Sequence, residues 1–66
     1  MELIVNGEKV STDENNTLEQ IMEELEIIDK VMAAAINMEI VKKENWDTTI
    51  PKENDKVELL QFVGGG

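Results

Sequence analysis

The amino-acid sequence predicts an α+β fold in which one helix covers one face of a β-sheet. An alternating apolar strand precedes an Asn-Gly turn at residues 6–7, a helical apolar pattern follows residue 17, and two further apolar runs come after it. The 66 residues are enough for one domain with a single core. Because one helix buries only one face of a sheet, the opposite face should stay open.

The first half of the chain should form a β-hairpin and then the helix. Residues 1–5 alternate between two faces, and Asn6-Gly7 is a strong hairpin signal that leads into a second strand at 10–12. Thr17, followed three residues later by Gln20, fits a capping box, which marks a helix start. The apolar residues of the helix recur at helical spacing and are Leu18, Ile21, Met22, Leu25 and Ile28.

The second half should supply the remaining strands. The apolar run 31–36 is assigned to a strand because it is short and follows a completed helix, although its alanines alone favour a helix. Trp46, Ile50 and Pro51 interrupt a polar segment and are expected to plug one edge of the core. The other predicted elements are a turn at 37–39, a short strand at 40–42, an irregular segment at 43–55 and a last strand at 57–63.

Composition excludes several classes of function. The net charge of -9, with no arginine, argues against nucleic acid and anionic membranes as partners, and leaves solubility or steering toward a basic protein surface. The absence of cysteine and histidine excludes disulfides, thiolate nucleophiles, imidazole bases and the usual zinc sites. The chain opens on a strand pattern without a signal segment, so we expect a cytoplasmic protein.

Side-chain catalysis is also not expected. Carboxylates such as Glu23 and Glu26 fit a solvated helix face better than an acid–base pair. No glycine-rich loop precedes a lysine and a helix, so the chain should bind no ATP or other cofactor by itself. We therefore expect a protein that is not an enzyme.

The open face of the predicted sheet is a candidate docking surface. Alternation turns the odd-numbered residues of the first and last strands toward the helix and leaves Ile4, Leu60 and Phe62 on the opposite face. Three apolar side chains on neighbouring strands would form a contiguous patch of the kind that marks protein docking. The alternative is that the irregular segment 43–55 covers them in part.

The three glycines at 64–66 form a candidate reactive tail. Glycine has no Cβ, so this stretch is thin enough for a narrow channel in a partner enzyme. Its terminal carboxylate at Gly66 is ionised at neutral pH and can attack an activated phosphate. A frayed end or an expression remnant would have the same composition. The predicted division is a domain at 1–63 and a flexible tail at 64–66.

Several short motifs occur in a characteristic order along the whole chain. They are Asn6, Thr17-Leu18, Ala34-Ala35-Ile36-Asn37, Ile40-Val41, Trp46, Asp55-Lys56-Val57 and Gly65-Gly66. In this combination the chain resembles the ThiS family, the sulfur carriers of thiamin thiazole biosynthesis. The resemblance implies a ubiquitin-like β-grasp fold, a mixed sheet with one main helix packed on one face. Its first and last strands would be parallel at the centre, with Ile4 beside Leu60 and Phe62.

The resemblance also implies a reaction sequence. An E1-like adenylating enzyme would use ATP to activate Gly66, a persulfide sulfur donor would supply sulfur, and the resulting thiocarboxylate would feed thiazole synthase. Because the chain has no cysteine, it could hold the sulfur only on its backbone terminus. Partner contacts would involve Ile4, Leu60, Phe62 and Val63. The alternatives are a molybdopterin-synthase small subunit, another ubiquitin-like carrier or tag, and a passive β-grasp interaction module.

The chain departs from the family pattern at three places. Met38 stands where the family often has glycine in a turn, and Lys42-Lys43 replace a proline-arginine pair. Gly64 stands where many members have a larger residue. The first two differences concern a turn and the surface, whereas Gly64 should loosen the tail.

Overall fold

The computed structural model describes residues 1–62, in which a five-stranded sheet packs against a helix. The strands lie in the order β2-β1-β5-β3-β4; β1 and β5 are parallel, and the other neighbours are antiparallel. The predicted parallel pairing of the first and last strands is thereby confirmed. The elements are β1 (Glu2–Val5), β2 (Glu8–Ser11), α1 (Leu18–Glu24), β3 (Val31–Ile36), β4 (Glu39–Val41), a 3-10 helix (Lys43–Asn45) and β5 (Lys56–Gln61).

The predicted hairpin and helix start are both confirmed. β1 and β2 pair across the Asn6-Gly7 turn, although β2 begins at residue 8 and not at 10. The Thr17 hydroxyl accepts a hydrogen bond from the Gln20 N–H at 3.1 Å, and the Gln20 side chain accepts one from the Thr17 N–H at 2.8 Å. These bonds satisfy two groups that a helix would otherwise leave without partners at its N-terminus.

The helix ends earlier than its apolar spacing predicts, and Ile28 lies in a turn beyond α1. Glu26 adopts a left-handed backbone with φ 61°, and its N–H donates to the Glu23 carbonyl at 3.0 Å. The N–H of Ile27 donates to the Met22 carbonyl at 3.0 Å, which completes a Schellman motif. Glycine usually marks such an ending, and a glutamate in its place gives no signal in the sequence.

The core lies between α1 and one face of the sheet. The predicted plug is confirmed for Trp46, which is 1% exposed and donates from Nε1 to the Val41 carbonyl at 2.9 Å, and for Pro51, which is buried. The prediction is wrong for Ile50, which is exposed. The buried apolar residues are Leu3, Val5, Leu18, Ile21, Met22, Val31, Ala34, Trp46, Val57 and Leu59.

The irregular segment after β4 packs against the start of the helix. The N–H of Leu18 donates to the Thr49 carbonyl at 2.7 Å, and the N–H of Glu19 donates to the Trp46 carbonyl at 3.0 Å. The segment is therefore held on the helix side of the sheet and is not available to cover the opposite face. None of the helices in residues 1–62 is long and apolar enough to cross a membrane.

The later strands follow the prediction with small shifts at their ends. The apolar run 31–36 is a strand, and the predicted turn at 37–39 is shorter, because β4 already starts at residue 39. The last strand starts at Lys56 and ends at Gln61. The remainder of its predicted range and the predicted tail, residues 63–66, lie outside the described residues.

Two hairpin turns in the sheet have the same backbone conformation but different sequences. Asn6 and Gly7 have φ values of 49° and 86°, and Asn37 and Met38 have φ values of 50° and 72°. Positive φ at both central positions is the requirement of a type I′ turn, for which Asn-Gly is the favoured sequence. Met38 therefore holds a left-handed backbone that disfavours any residue with a Cβ.

Replacing Met38 by glycine should raise the free energy of unfolding by about 0.5–1 kcal/mol, because glycine adopts positive φ without steric penalty. The measurement is denaturant unfolding followed by the fluorescence of Trp46, the only tryptophan in the sequence. Gly7→Ala is the reverse test. It should lower stability by about 1 kcal/mol although no atom lies within 4 Å of the added Cβ.

The control for this prediction is Met38→Ala, which removes the long side chain but keeps a Cβ at positive φ. Its stability should stay within about 0.5 kcal/mol of the parent chain, as is usual for an exposed site. If Met38→Gly is no more stable than Met38→Ala, then backbone strain at this turn is negligible and the explanation is wrong.

Candidate functional site

The sheet face opposite α1, called the open face below, carries the predicted docking residues that the structure describes. In β5, Val57 and Leu59 point toward the helix and are buried. Because side chains alternate along a strand, Leu60, which follows Leu59, points away from the helix. In β1, Ile4 likewise lies on the open face and is half-buried. Phe62 follows β5 and is exposed.

Exposed apolar side chains concentrate at one end of the open face. Leu60 is 61% exposed and Phe62 is 65% exposed. Ile40 on β4 is 79% exposed and lies opposite Ala35 of β3, on the same face as Leu60. A contiguous group of large exposed apolar side chains is typical of a docking surface.

The small residues of β3 shape this end of the open face. Ala33 pairs with Leu60, and Ala35 pairs with both Glu58 and Ile40. Because alanine fills little space, a shallow depression of about 310 Å³ lies between the larger side chains of β4 and β5. The depression can accept an apolar side chain from a partner protein.

The structure corrects the expected position of Ile4. Ile4 was expected beside Leu60 and Phe62, but the parallel register pairs it with Lys56, and Leu60 pairs with Ala33. At about 3.3 Å per residue, four residues of β5 separate Lys56 from Leu60 by roughly 13 Å. Ile4 therefore contributes to a different part of the open face.

A second depression surrounds Ile4. It has a volume of about 450 Å³, and Met38, Lys56 and Glu58 also contribute to its lining. Met38 is 88% exposed. Sequence reasoning missed Met38 and Ile40 as members of the open face. The period-2 alternation across the turn at 37–38 could have placed Ile40 there, whereas nothing local marks an exposed methionine as part of a surface.

The charges on the open face nearly balance. Strand register places Glu2 and Glu58 on this face together with Lys9 and Lys56, which flank Ile4 from both sides. The acidic excess of the chain lies elsewhere, and much of it is on and beside α1, at Glu19, Glu23, Glu24 and Glu26. The open face is therefore suited to apolar contact with little electrostatic repulsion.

Side chains in the described part of the chain offer no alternative reactive centre. In residues 1–62 no group of three or more His, Cys, Asp or Glu side chains is placed to hold a metal ion. The first N–H groups of α1 already donate to Thr17, Trp46 and Thr49, so none of these is left for a phosphate. The candidate for the reactive group is still the terminal carboxylate of the predicted tail, Gly64, Gly65 and Gly66. The tail and the predicted docking residue Val63 lie outside the described residues.

The strand order, the parallel central pair and the single main helix define a ubiquitin-like β-grasp fold. A crystal structure of the thiamine biosynthesis protein ThiS from Geobacter metallireducens matches with a TM-score of 0.80 and 33% sequence identity, over 100% of both chains. A solution structure of a thiamine biosynthesis protein from the same organism matches with a TM-score of 0.75 and 30% identity, over 100% of this chain and 88% of that one.

Sequence comparison identifies the family. The ThiS family model matches residues 1–66, and the chain therefore belongs to the ThiS family. The sulfur carrier protein ThiS of Escherichia coli is 29% identical over 66 residues, which are 100% of both chains. A thiazole synthase of Paramagnetospirillum magneticum is 33% identical over 66 residues; this chain spans only 20% of that protein's length.

Proposed function

We propose that this chain is a sulfur carrier of thiamin biosynthesis and that it holds sulfur as a thiocarboxylate on Gly66. The observation that carries the proposal is the match over the full length of both chains to the sulfur carrier protein of Escherichia coli. The three consecutive glycines at 64–66 and the absence of cysteine support it. A chain of this composition has no thiol on which a persulfide could form.

The proposed chemistry exchanges one atom of the Gly66 carboxyl group. An oxygen of the carboxylate attacks the α-phosphorus of ATP in an adenylating partner, and pyrophosphate leaves. The terminal sulfur of a persulfide donor then attacks the acyl carbon, and the oxygen leaves with AMP, which gives an acyl disulfide. A partner thiol attacks the donor sulfur of this S–S bond, and the thiocarboxylate leaves as the donor and the thiol form a disulfide. The chain itself binds no cofactor in this scheme, because ATP is held by the partner. Since the reaction needs ATP, we also propose a cytoplasmic location.

The proposed role of the folded domain is recognition. We assign docking of the adenylating enzyme to Leu60, Phe62 and Ile40 on the open face, with Ile4 and Val63 as further contacts. Phe62, the last described residue, precedes Gly66 by only a few positions, and we therefore propose that a partner bound to the open face also receives Gly66. The domain thus supplies affinity and the tail supplies the reacting atom.

We further propose thiazole synthase as the acceptor of the sulfur. Thiazole synthases of two organisms contain a segment similar to this whole chain, at 33% identity in Paramagnetospirillum magneticum and 27% in Magnetococcus marinus. A carrier-like segment within a thiazole synthase chain is consistent with the two proteins working together. This favours thiazole formation over molybdopterin synthesis.

The test is the intact mass of the chain after incubation with ATP, an adenylating enzyme, a persulfide donor and a reducing thiol. We expect a mass gain equal to the difference between sulfur and oxygen, and no gain when ATP is omitted. The Escherichia coli sulfur carrier serves as a positive control in the same mixture. If that control is converted and this chain keeps its mass with several adenylating enzymes, the proposed function is wrong.

A further inference from the structure

The last strand loses one of its two neighbours before it reaches the tail. The backbone bonds between this edge of β5 and the β1 segment include those from the Ile4 N–H to the Asp55 carbonyl at 3.0 Å and from the Asn6 N–H to the Val57 carbonyl at 2.9 Å. At Asn6 the chain turns away into the hairpin. The next residue of β5 that faces this side is Leu59, and no backbone of β1 remains to pair with it.

The Asn6 side chain replaces the missing backbone. Its Oδ1 accepts a hydrogen bond from the Leu59 N–H at 2.8 Å, and its Nδ2 donates to the Leu59 carbonyl at 3.2 Å. A carboxamide has the same donor and acceptor as a peptide group, so it extends the strand pairing by one residue. These two bonds are called the Asn6 clip below.

We infer that Asn6 is a positioning residue for the reaction at Gly66, an inference that rests on the proposed function. Beyond Leu59, the described hydrogen bonds of β5 are all on the side of β3, whose pairing with β5 is interrupted by a bulge at Met32. The last of these bonds joins the Phe62 N–H to the Lys30 carbonyl at 2.9 Å. The Asn6 clip holds the opposite side of the strand. It thereby fixes the course of β5 immediately before Leu60, Phe62 and the tail.

The start of β5 carries a related arrangement that serves as a matched control. Asn37 has φ 50°, nearly the value of Asn6, and its Oδ1 accepts a hydrogen bond from the Lys56 N–H at 3.0 Å. Its Nδ2 donates to the Asp55 carboxylate at 3.0 Å. Both asparagines thus occupy equivalent turn positions and make two bonds each, but only Asn6 lies near the end of β5 that leads to the tail.

The experiment compares Asn6→Ala with Asn37→Ala in steady-state adenylation by the partner enzyme, at a temperature where Trp46 fluorescence shows both variants folded. For Asn6→Ala we expect kcat to fall roughly tenfold or more, because a misdirected tail reaches the reactive geometry less often. KM should change less than about twofold, because β3 still pairs with Leu60 and because Ile40 lies on β4. Asn37→Ala should keep both constants within about twofold of the parent chain.

Amide hydrogen exchange supplies a readout that is independent of the partner. In Asn6→Ala the amide of Leu59 should exchange faster, whereas in Asn37→Ala the faster exchange should appear at Lys56. Asn6→Asp keeps an acceptor for the Leu59 N–H but loses the donor. Its kcat should therefore fall between those of the parent chain and Asn6→Ala.

Two results would overturn the inference. The first is an Asn6→Ala chain that is adenylated with parental kcat although its Leu59 amide exchanges faster. The second is an equal loss of kcat in the Asn6 and Asn37 variants, which would reflect stability alone. Failure of the proposed function is distinguishable from both, because it would appear as a parent chain that no adenylating enzyme activates.

Discussion

Gly66→Val should abolish the ATP-dependent mass gain and leave the folded domain as stable as the parent chain. Under the proposed function the tail enters a narrow channel of the adenylating enzyme. A branched Cβ next to the reacting carboxyl would obstruct that channel, so we expect activation to fall by about 100-fold or more. The buried apolar residues of the described part of the chain lie between Leu3 and Leu59, so we expect unfolding followed by Trp46 fluorescence to be unchanged. The measurement is the rate of thiocarboxylate formation by intact mass.

The control for this prediction is Gly64→Ala, which adds a Cβ in the same tail but away from the reacting carboxyl. The added methyl group is two residues away from Gly66, so this variant should be activated within about threefold of the parent rate. If Gly66→Val is activated as fast as Gly64→Ala, the steric argument is wrong. If a chain without Gly65 and Gly66 still supports thiazole formation, a thiocarboxylate on Gly66 is excluded as the form in which the chain carries sulfur.

Leu60→Glu should weaken binding to the adenylating enzyme by about 10- to 100-fold without unfolding the domain. Leu60 is 61% exposed and borders the depression above Ala33, so it is placed to enter an apolar site on a partner. A carboxylate at this position would be desolvated in the complex, at a cost of a few kcal/mol. The measurement is the Kd from titration of the enzyme, with Trp46 fluorescence as the check on folding.

Gln20→Glu is the matched control for charge. It adds the same single negative charge on the helix side, and glutamate preserves the capping box with Thr17. Its Kd should stay within about twofold of the parent value. An unchanged Kd for Leu60→Glu would place docking on another surface, and an unfolded Leu60→Glu chain would show that this face contributes to stability.

The sequence predicts those elements whose signals are local. The Asn6-Gly7 turn and the Thr17 and Gln20 capping box form as expected, because residues close in sequence make the bonds that define them. The end of α1 was missed because Glu26, and not glycine, takes the left-handed position. The position of Ile4 was wrong because the register of a parallel pair depends on contacts between residues 52 positions apart, such as Ile4 and Lys56.

In the candidate site, too, the features that depend on neighbouring residues were predictable and those that depend on distant contacts were not. Leu60 and Phe62 could be placed on the open face because alternation along one strand is a local property. Ile40 reaches the same surface only through the pairing of β4 with β3, and the Asn6 clip requires a turn and a strand that are far apart in the sequence. Such features follow from tertiary structure and cannot be read from neighbouring residues.

The central position of β5 has a consequence for synthesis of the protein. β1 and β3 are not neighbours and are joined into one sheet only by Lys56–Gln61, which the ribosome adds after the other four strands. A nascent or prematurely terminated chain that lacks these residues cannot close the sheet, and so has no assembled open face. The topology therefore delays assembly of this surface until the ribosome has passed Gln61.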